Sequence, residues 1–270
     1  GIETYSSDAE RAFVDTRHTV GNNLYGATVE YEKYEGMSQD TISAYAMLNY
    51  EPINIGLRVS EDAFVYRIGS AKGDFFSSFG TSYRNPTLYE LNGDAWTAPN
   101  PGLDPEEATG IEFGYKNITV FKYKFSEGID YSFASSQFVN TGKYDTQGVR
   151  YTNTMTFDYL DTFIGYELGY TDSDQPRVAK YKAVINSIHQ ADNYTLSFTY
   201  TGLFDREPGP YDGTEMLDNV SSIDYKIEGS IAPNYLISAT IRDILDKTYE
   251  YLPGYNSGGV EILITLQYRP

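Results

Sequence analysis

Residue-by-residue alternation of apolar and polar side chains constrains this chain more than any other feature. It is clearest in Tyr194-Thr195-Leu196-Ser197-Phe198-Thr199-Tyr200-Thr201. Tyr194, Leu196, Phe198 and Tyr200 fall on one face and Thr195, Ser197, Thr199 and Thr201 on the other. A period of two is that of a β-strand, whose side chains point alternately to opposite sides. The pattern recurs in Ile223, Tyr225, Ile227, Gly229 and Ile231 against Asp224, Lys226, Glu228 and Ser230. It recurs again in Val260, Ile262, Ile264, Leu266 and Tyr268 against Glu261, Thr265 and Gln267, with Leu263 the exception. Strands of this kind either pack their apolar faces together as a sandwich or turn them outward to lipid as a barrel. Charged residues in mid-strand suit a water-filled lumen and would be costly in a sandwich core.

Strands are expected near 24–35, 41–50, 53–61, 63–71, 75–83, 110–117, 119–133, 147–159, 162–172, 180–189, 194–203, 221–231, 235–243 and 260–269, with a weaker one at 3–14. That is about fourteen, each of the length a barrel strand needs. Their connections alternate. Short turns at Lys116-Asn117-Ile118, Leu160-Asp161, Gln190-Ala191-Asp192-Asn193 and Ala232-Pro233-Asn234 interleave with long connections at 84–109, 134–146, 173–179, 204–220 and 244–259. Short turns at one rim and long loops at the other describe an all-β, antiparallel, up-and-down transmembrane β-barrel. A Greek-key sandwich would break the alternation with crossovers. Tyr31, Tyr34, Tyr83, Tyr159, Tyr166, Tyr170 and Tyr200 are placed near strand ends, as an aromatic girdle requires.

Composition narrows the function. The 27 Tyr and 14 Phe favour strands, and the absence of Cys excludes disulfides and thiolate metal sites. No apolar run approaches the roughly 18 to 20 residues of a membrane helix, which does not exclude a barrel. A net charge of −18 argues against nucleic acid as a partner. The acidity is read first as solvated loops and a wet interior. The sharper reading is Ca²⁺ held by Asp172, Asp174, Asp205, Glu207, Asp212 and Glu215, although their spacing is not that of an EF-hand. There are two histidines, His18 and His189, and no Ser/His/Asp set, zinc-protease motif or phosphate-binding loop. Glu106 and Glu107 would point to opposite faces of a strand and make no acid/base pair. No enzyme activity is expected. The chain starts at Gly1 without initiator Met or signal peptide, so a mature chain or a fragment is expected.

Several patches, in order, then resemble one family. Phe75-Phe76-Ser77-Ser78-Phe79-Gly80-Thr81-Ser82-Tyr83-Arg84-Asn85-Pro86-Thr87-Leu88-Tyr89-Glu90-Leu91 resembles the SYGTxFRAPxLxEL segment of TonB-dependent outer-membrane receptors. Asn100-Pro101-Gly102-Leu103-Asp104-Pro105-Glu106-Glu107 is similar to their NPxLxPE motif, and Glu112-Phe113-Gly114-Tyr115-Lys116 to WELGYK. Thr141-Gly142-Lys143 with Gln147-Gly148-Val149 is similar to GKxxxxGVE, with Arg150 where Glu is usual. Asp243-Ile244-Leu245-Asp246-Lys247-Thr248-Tyr249 resembles NLFDKxY, and Gly254-Tyr255-Asn256-Ser257-Gly258-Gly259 the turn before the last strand. Within the family the cobalamin receptor resembles it most, through Asp246, Lys247, Tyr249, Glu250, Gly254, Tyr255 and Gly259. No His stands at 85–100, as the haem branch would require, and a ferric siderophore remains an alternative.

The resemblance implies a transporter of the Gram-negative outer membrane, with a barrel of about 22 strands around an N-terminal plug. Residues 1–270 would be the C-terminal portion of that barrel. The plug, the TonB box and the remaining strands would come from a second chain, and TonB would supply energy through that plug. The chain ends in Pro270, where such barrels end in Phe. Expected partners are outer-membrane lipid and a small ligand such as cobalamin. Tyr89, Trp96, Tyr211 and Tyr255 are expected to contact ligand, as aromatic faces on a polar rim. The motif residues Tyr83, Arg84, Pro86, Asn100, Pro101, Leu103, Pro105, Glu106, Asp246, Lys247 and Tyr249 are expected to fold the long loops rather than touch ligand. Arg84 would pair with Glu90 or Glu107. Two rival readings are a stand-alone porin-like channel and a soluble β-sandwich binding module.

Overall fold

A computed structural model describes residues 9–209, 216–252 and 255–268. The chain divides into two compact units, residues 1–116 with 121–145, and residues 117–120 with 146–270. The first is a meander of β1 (Ala9–Val20), β2 (Asn23–Tyr34), β3 (Met37–Tyr50), β4 (Ile53–Ser60), β5 (Phe64–Lys72), β6 (Phe75–Arg84) and β7 (Glu106–Tyr115), with helix α1 (Leu88–Asn92) before β7. β8 (Ile118–Ser126) follows, then the hairpin of β9 (Ile129–Ser132) and β10 (Gln137–Asn140). The second unit holds β11 (Tyr144–Phe157), β12 (Thr162–Ser173), β13 (Ala179–Gln190), β14 (Tyr194–Arg206), β15 (Val220–Ala232) and β16 (Tyr235–Arg242). It ends with the small pair β17 (Glu250–Leu252) and β18 (Tyr255–Asn256), and with β19 (Glu261–Tyr268). Sheet neighbours follow chain order, β1 to β8, then β11 to β16 and β19, fifteen strands in all.

The register carries the sequence alternation across neighbouring strands. In the first unit Leu48, Ile55, Ile68, Phe79 and Ile111 are successive cross-strand partners and form one apolar row. Asp15, Thr28, Ser43 and Ser60 form a row on the opposite face. In the second unit Tyr166, Ile185, Tyr200 and Ile223 align, while Asn186, Thr199 and Asp224 line the other side. Leu263 pairs with Thr240 and so lies on the polar face. Polar-face groups satisfy one another across strands. The Tyr45 hydroxyl donates to Asp15 at 2.9 Å, Arg58 reaches the Ser43 hydroxyl at 3.0 Å, and Lys182 meets Glu167 at 3.0 Å.

Where the hydrophobic residues are buried decides between sandwich and barrel. Ile68, Phe79 and Ile111 stay 45%, 39% and 38% exposed, and Ile262 and Ile264 66% and 67%. Among the described residues the buried hydrophobic side chains are Leu88, Leu103, Leu217, Val220 and Tyr249. All belong to, or adjoin, the long connections. Among the described residues no second layer covers the apolar rows. A sandwich would bury those rows, and a membrane protein leaves them for lipid.

The turns alternate as expected, with some boundaries moved. Short turns lie at 21–22, 51–52, 73–74, 116–117, 158–161, 191–193 and 233–234. The other ends hold the short turns 35–36 and 61–63, the five-residue connection 174–178 and the long connections 85–105, 127–143, 207–219 and 243–260, so short and long alternate only from β6 onward. The weak strand expected at 3–14 is β1, and residues 1–8 lie outside the described residues. The single strand expected at 119–133 is two, because Glu127 turns at φ 54° and breaks the ladder. The long connection expected at 84–109 ends early, since Glu106 to Gly110 already pair with β6. Among the girdle tyrosines, Tyr34 pairs with Met37, shares the polar face and packs edge-on to Tyr89. Tyr166 and Tyr200 sit in mid-strand rather than at strand ends.

Candidate functional site

In the first unit the motif residues fold the long connection after β6. Arg84 is the hub. Its Nε donates to Glu106 Oε2 at 2.5 Å, and its Nη1 donates to Glu90 Oε2 at 2.9 Å and Oε1 at 3.2 Å. The pairing puts Arg84 opposite Glu106 in the strand register. Glu107 sits opposite Tyr83, on the other face, so the Glu107 alternative is corrected to Glu106. Glu90 also accepts from the Thr87 backbone N–H at 2.7 Å, while the Thr87 hydroxyl accepts from Glu90 N–H. This capping box starts α1. Its signal, Thr87 with Glu90 three residues on, stood in the sequence unread.

The remaining first-unit motif residues anchor the loop to the β9–β10 hairpin. The Asn100 side chain donates to Phe138 O at 2.8 Å, and Asn100 N–H to Leu91 O at 2.9 Å. Asn140 accepts from Asp104 N–H at 2.9 Å and donates to Asp104 O at 2.9 Å and Glu127 O at 2.8 Å. Glu106 Oε1 accepts from Ile129 N–H at 2.7 Å. Leu103 and Pro86 are buried, Pro105 is half-buried and Pro101 is exposed. Asn140 and Phe138 were missed because nothing local in the sequence marks a partner some 36 to 38 residues away.

In the second unit the DILDKTY segment closes the connection before β19. Asp246 Oδ1 accepts from Val260 N–H at 3.3 Å. A side chain on Gly259, which has φ +70°, would meet that carboxylate at 2.9 Å. The Ser257 hydroxyl donates to Lys247 O at 3.1 Å, and Tyr249 N–H donates to the Ser257 hydroxyl at 3.3 Å. Tyr249 is buried and the Lys247 side chain is exposed. Arg206, buried at the end of β14, donates to Glu250 O at 2.9 Å and Asp218 O at 3.2 Å, tying two long loops together.

The four residues expected to contact ligand fare differently. Tyr89 is wedged between Tyr34 and Phe138, with ring centroids 5.6 Å from each, and its hydroxyl meets Thr97 at 3.0 Å. It supports the loop. Trp96 is 74% exposed, held by its backbone N–H donating to Asp94 at 2.8 Å. Tyr211 lies outside the described residues, as does the side chain of Tyr255. His189 meets the Thr162 hydroxyl at 3.0 Å, a turn-side contact. Among the described residues no three His, Cys, Asp or Glu side chains gather as a metal cluster. Asp212 and Glu215 lie outside them.

An apolar face open to lipid, a polar face and loops folded by these motifs are the parts of an outer-membrane receptor barrel. A family described as TonB dependent receptor-like, beta-barrel, matches residues 3–257. This chain belongs to that family. Its members are outer-membrane proteins of Gram-negative bacteria, transporters and not enzymes. The fold is similar to a mutant ferric enterobactin receptor from Pseudomonas aeruginosa in complex with enterobactin, at TM-score 0.64 and 14% identity, over 97% of this chain and 54% of that one. It is similar to the copper transporter OprC, at 0.63 and 12%, over 98% and 57%. The siderophore receptor PirA from Acinetobacter baumannii matches at 0.62 and 12%, over 97% and 54%. The chain thus spans about half the length of these relatives.

Proposed function

We propose that this chain is the barrel share of a TonB-dependent transporter that imports a metal-chelate nutrient, cobalamin first among candidates. The observation that carries the reading is the distribution of burial. The apolar rows are open for lipid, and the buried hydrophobic residues gather in the long connections, which makes those loops structured elements able to hold a ligand. The polar face supplies the wall of a water-filled lumen. Trp96 offers an exposed aromatic face to a ligand arriving at that rim. The cobalamin assignment is supported by the pattern Asp246, Lys247, Tyr249, Glu250, Gly254, Tyr255 and Gly259. The relatives with enterobactin and copper make a ferric siderophore its main competitor.

In this proposal the plug and the remaining strands come from a second chain, through which TonB delivers energy. The test has two steps. Protein extracted in detergent and purified through this chain is analysed by native mass spectrometry. A stoichiometric second polypeptide with a plug-like domain supports the two-chain arrangement. A plug in the same polypeptide removes the second chain and keeps the transporter. A lone barrel that conducts ions without any plug overturns the transporter in favour of a porin-like channel. The purified assembly is then titrated with cobalamin and with ferric siderophores, and saturable binding of siderophore alone removes cobalamin.

A further inference from the structure

Asp243 follows β16 and is 5% exposed, yet among the described residues neither of its carboxylate oxygens has a hydrogen-bond partner. It adopts a left-handed backbone, φ 49°, and its N–H donates to Asp224 Oδ1 at 3.0 Å, bringing the two residues together. Both line a cleft of about 650 Å³ with Ser222, Tyr249, Ser257 and Glu261. Arg242, on the same cleft, is engaged by Glu261 at 2.7 Å. A buried carboxylate without a donor is costly, because the desolvated charge lacks compensation. Burial pushes the Asp243 carboxyl above its ordinary range, and Asp224 and Asp246 push it the same way. The group therefore needs a proton or a cation. Two features favour the cation. Asp224 shares the cleft, and Arg242, the cationic side chain on that cleft, is already engaged by Glu261 and leaves the two aspartates without a counter-charge from it.

We propose that Asp243 and Asp224 hold a hard divalent cation, Ca²⁺, at the long-loop end of β15 and β16. Two carboxylates do not form a complete chelate, so the rest of the shell is hydroxyl, carbonyl and water oxygen. Such a site belongs to the weak extracellular class, with half-saturation at about 0.1 to 1 mM. The cation would neutralise Asp243 and fasten the connection before β19 to β15.

The test is terbium luminescence on the detergent-purified assembly that contains this chain, with Ca²⁺ as competitor, followed by thermal unfolding with and without Ca²⁺. Wild type should show a saturable, Ca²⁺-displaced signal and a melting temperature raised by about 2–4 °C at saturating Ca²⁺. D243N and D224N should each lose one site and most of that shift. E207Q, a loop carboxylate outside the cleft, should retain both. An unchanged site count in D243N overturns the proposal. So does a D243N protein that melts higher than wild type regardless of Ca²⁺, which would mark Asp243 as a buried neutral acid.

Discussion

Removing the Arg84 side chain should release the first-unit loop without unfolding the sheet. Arg84→Ala deletes the bond to Glu106 at 2.5 Å and the two to Glu90 at 2.9 and 3.2 Å. Hydrogen bonds to charged groups contribute about 1.5–3 kcal/mol each where buried. The Arg84 side chain is 41% exposed, whereas Glu90 and Glu106 are 13% and 26% exposed. Solvent screening at the arginine lowers the total to about 2 kcal/mol for the set. Glu90 keeps its bonds to Thr87, and Glu106 keeps Ile129 N–H, so neither carboxylate is orphaned. A loss of about 2 kcal/mol raises the open fraction of the loop about 30-fold. Amide hydrogen exchange reads this directly at Leu91, Gly93, Ala98 and Asn100, whose N–H groups bond to Thr87, Tyr89, Ser136 and Leu91. Those amides should exchange faster while amides of β3 and β4 do not. Arg84→Lys should recover part of the protection through a single charge contact. Unchanged exchange at all four amides in Arg84→Ala would refute the hub, and equal acceleration in β3 and β4 would refute its local character.

Further outcomes follow from the same geometry. Ile185→Lys, in the apolar row of the second unit, should cost about 2–4 kcal/mol and lower the amount assembled in outer membranes. Thr199→Lys on the polar face should assemble at the wild-type level, and equal loss in both would contradict the face assignment. A Cβ on Gly110 would lie 2.5 Å from the Tyr123 ring, so Gly110→Val should destabilise by about 1–3 kcal/mol in thermal unfolding. Tyr123→Ala should recover part of that loss by vacating the space. Trp96→Ala should weaken ligand binding about tenfold at unchanged melting temperature. Tyr89→Ala should instead lower the melting temperature, because its ring is committed to Tyr34 and Phe138. A stable Tyr89→Ala protein with weakened binding would instead support Tyr89 as a ligand contact.

Strand existence, the two faces and the alternation of short and long connections were legible in the sequence, because a period of two is a local property that any strand displays. The family motifs were legible too, as short ordered patches. Partnership was not. The choice of Glu106 over Glu107 for Arg84 follows from strand register, which sets whether a residue faces α1 or the apolar side. Nothing local tells that the Tyr89 ring is held between Tyr34 and Phe138, both far from it in sequence. The break at Glu127 escaped notice since a residue at positive φ leaves no mark on hydrophobic periodicity.

Sequence alone therefore determined that the chain makes amphipathic antiparallel strands with long connections on one side. Tertiary structure decided that, among the described residues, the apolar rows stay uncovered, the buried hydrophobic side chains lie in or beside the long connections, and Asp243 is enclosed without a donor. The physical reason is range. Alternation and turn chemistry act between neighbours in the chain. Burial and hydrogen-bond satisfaction depend on groups that only the folded sheet and its loops bring together.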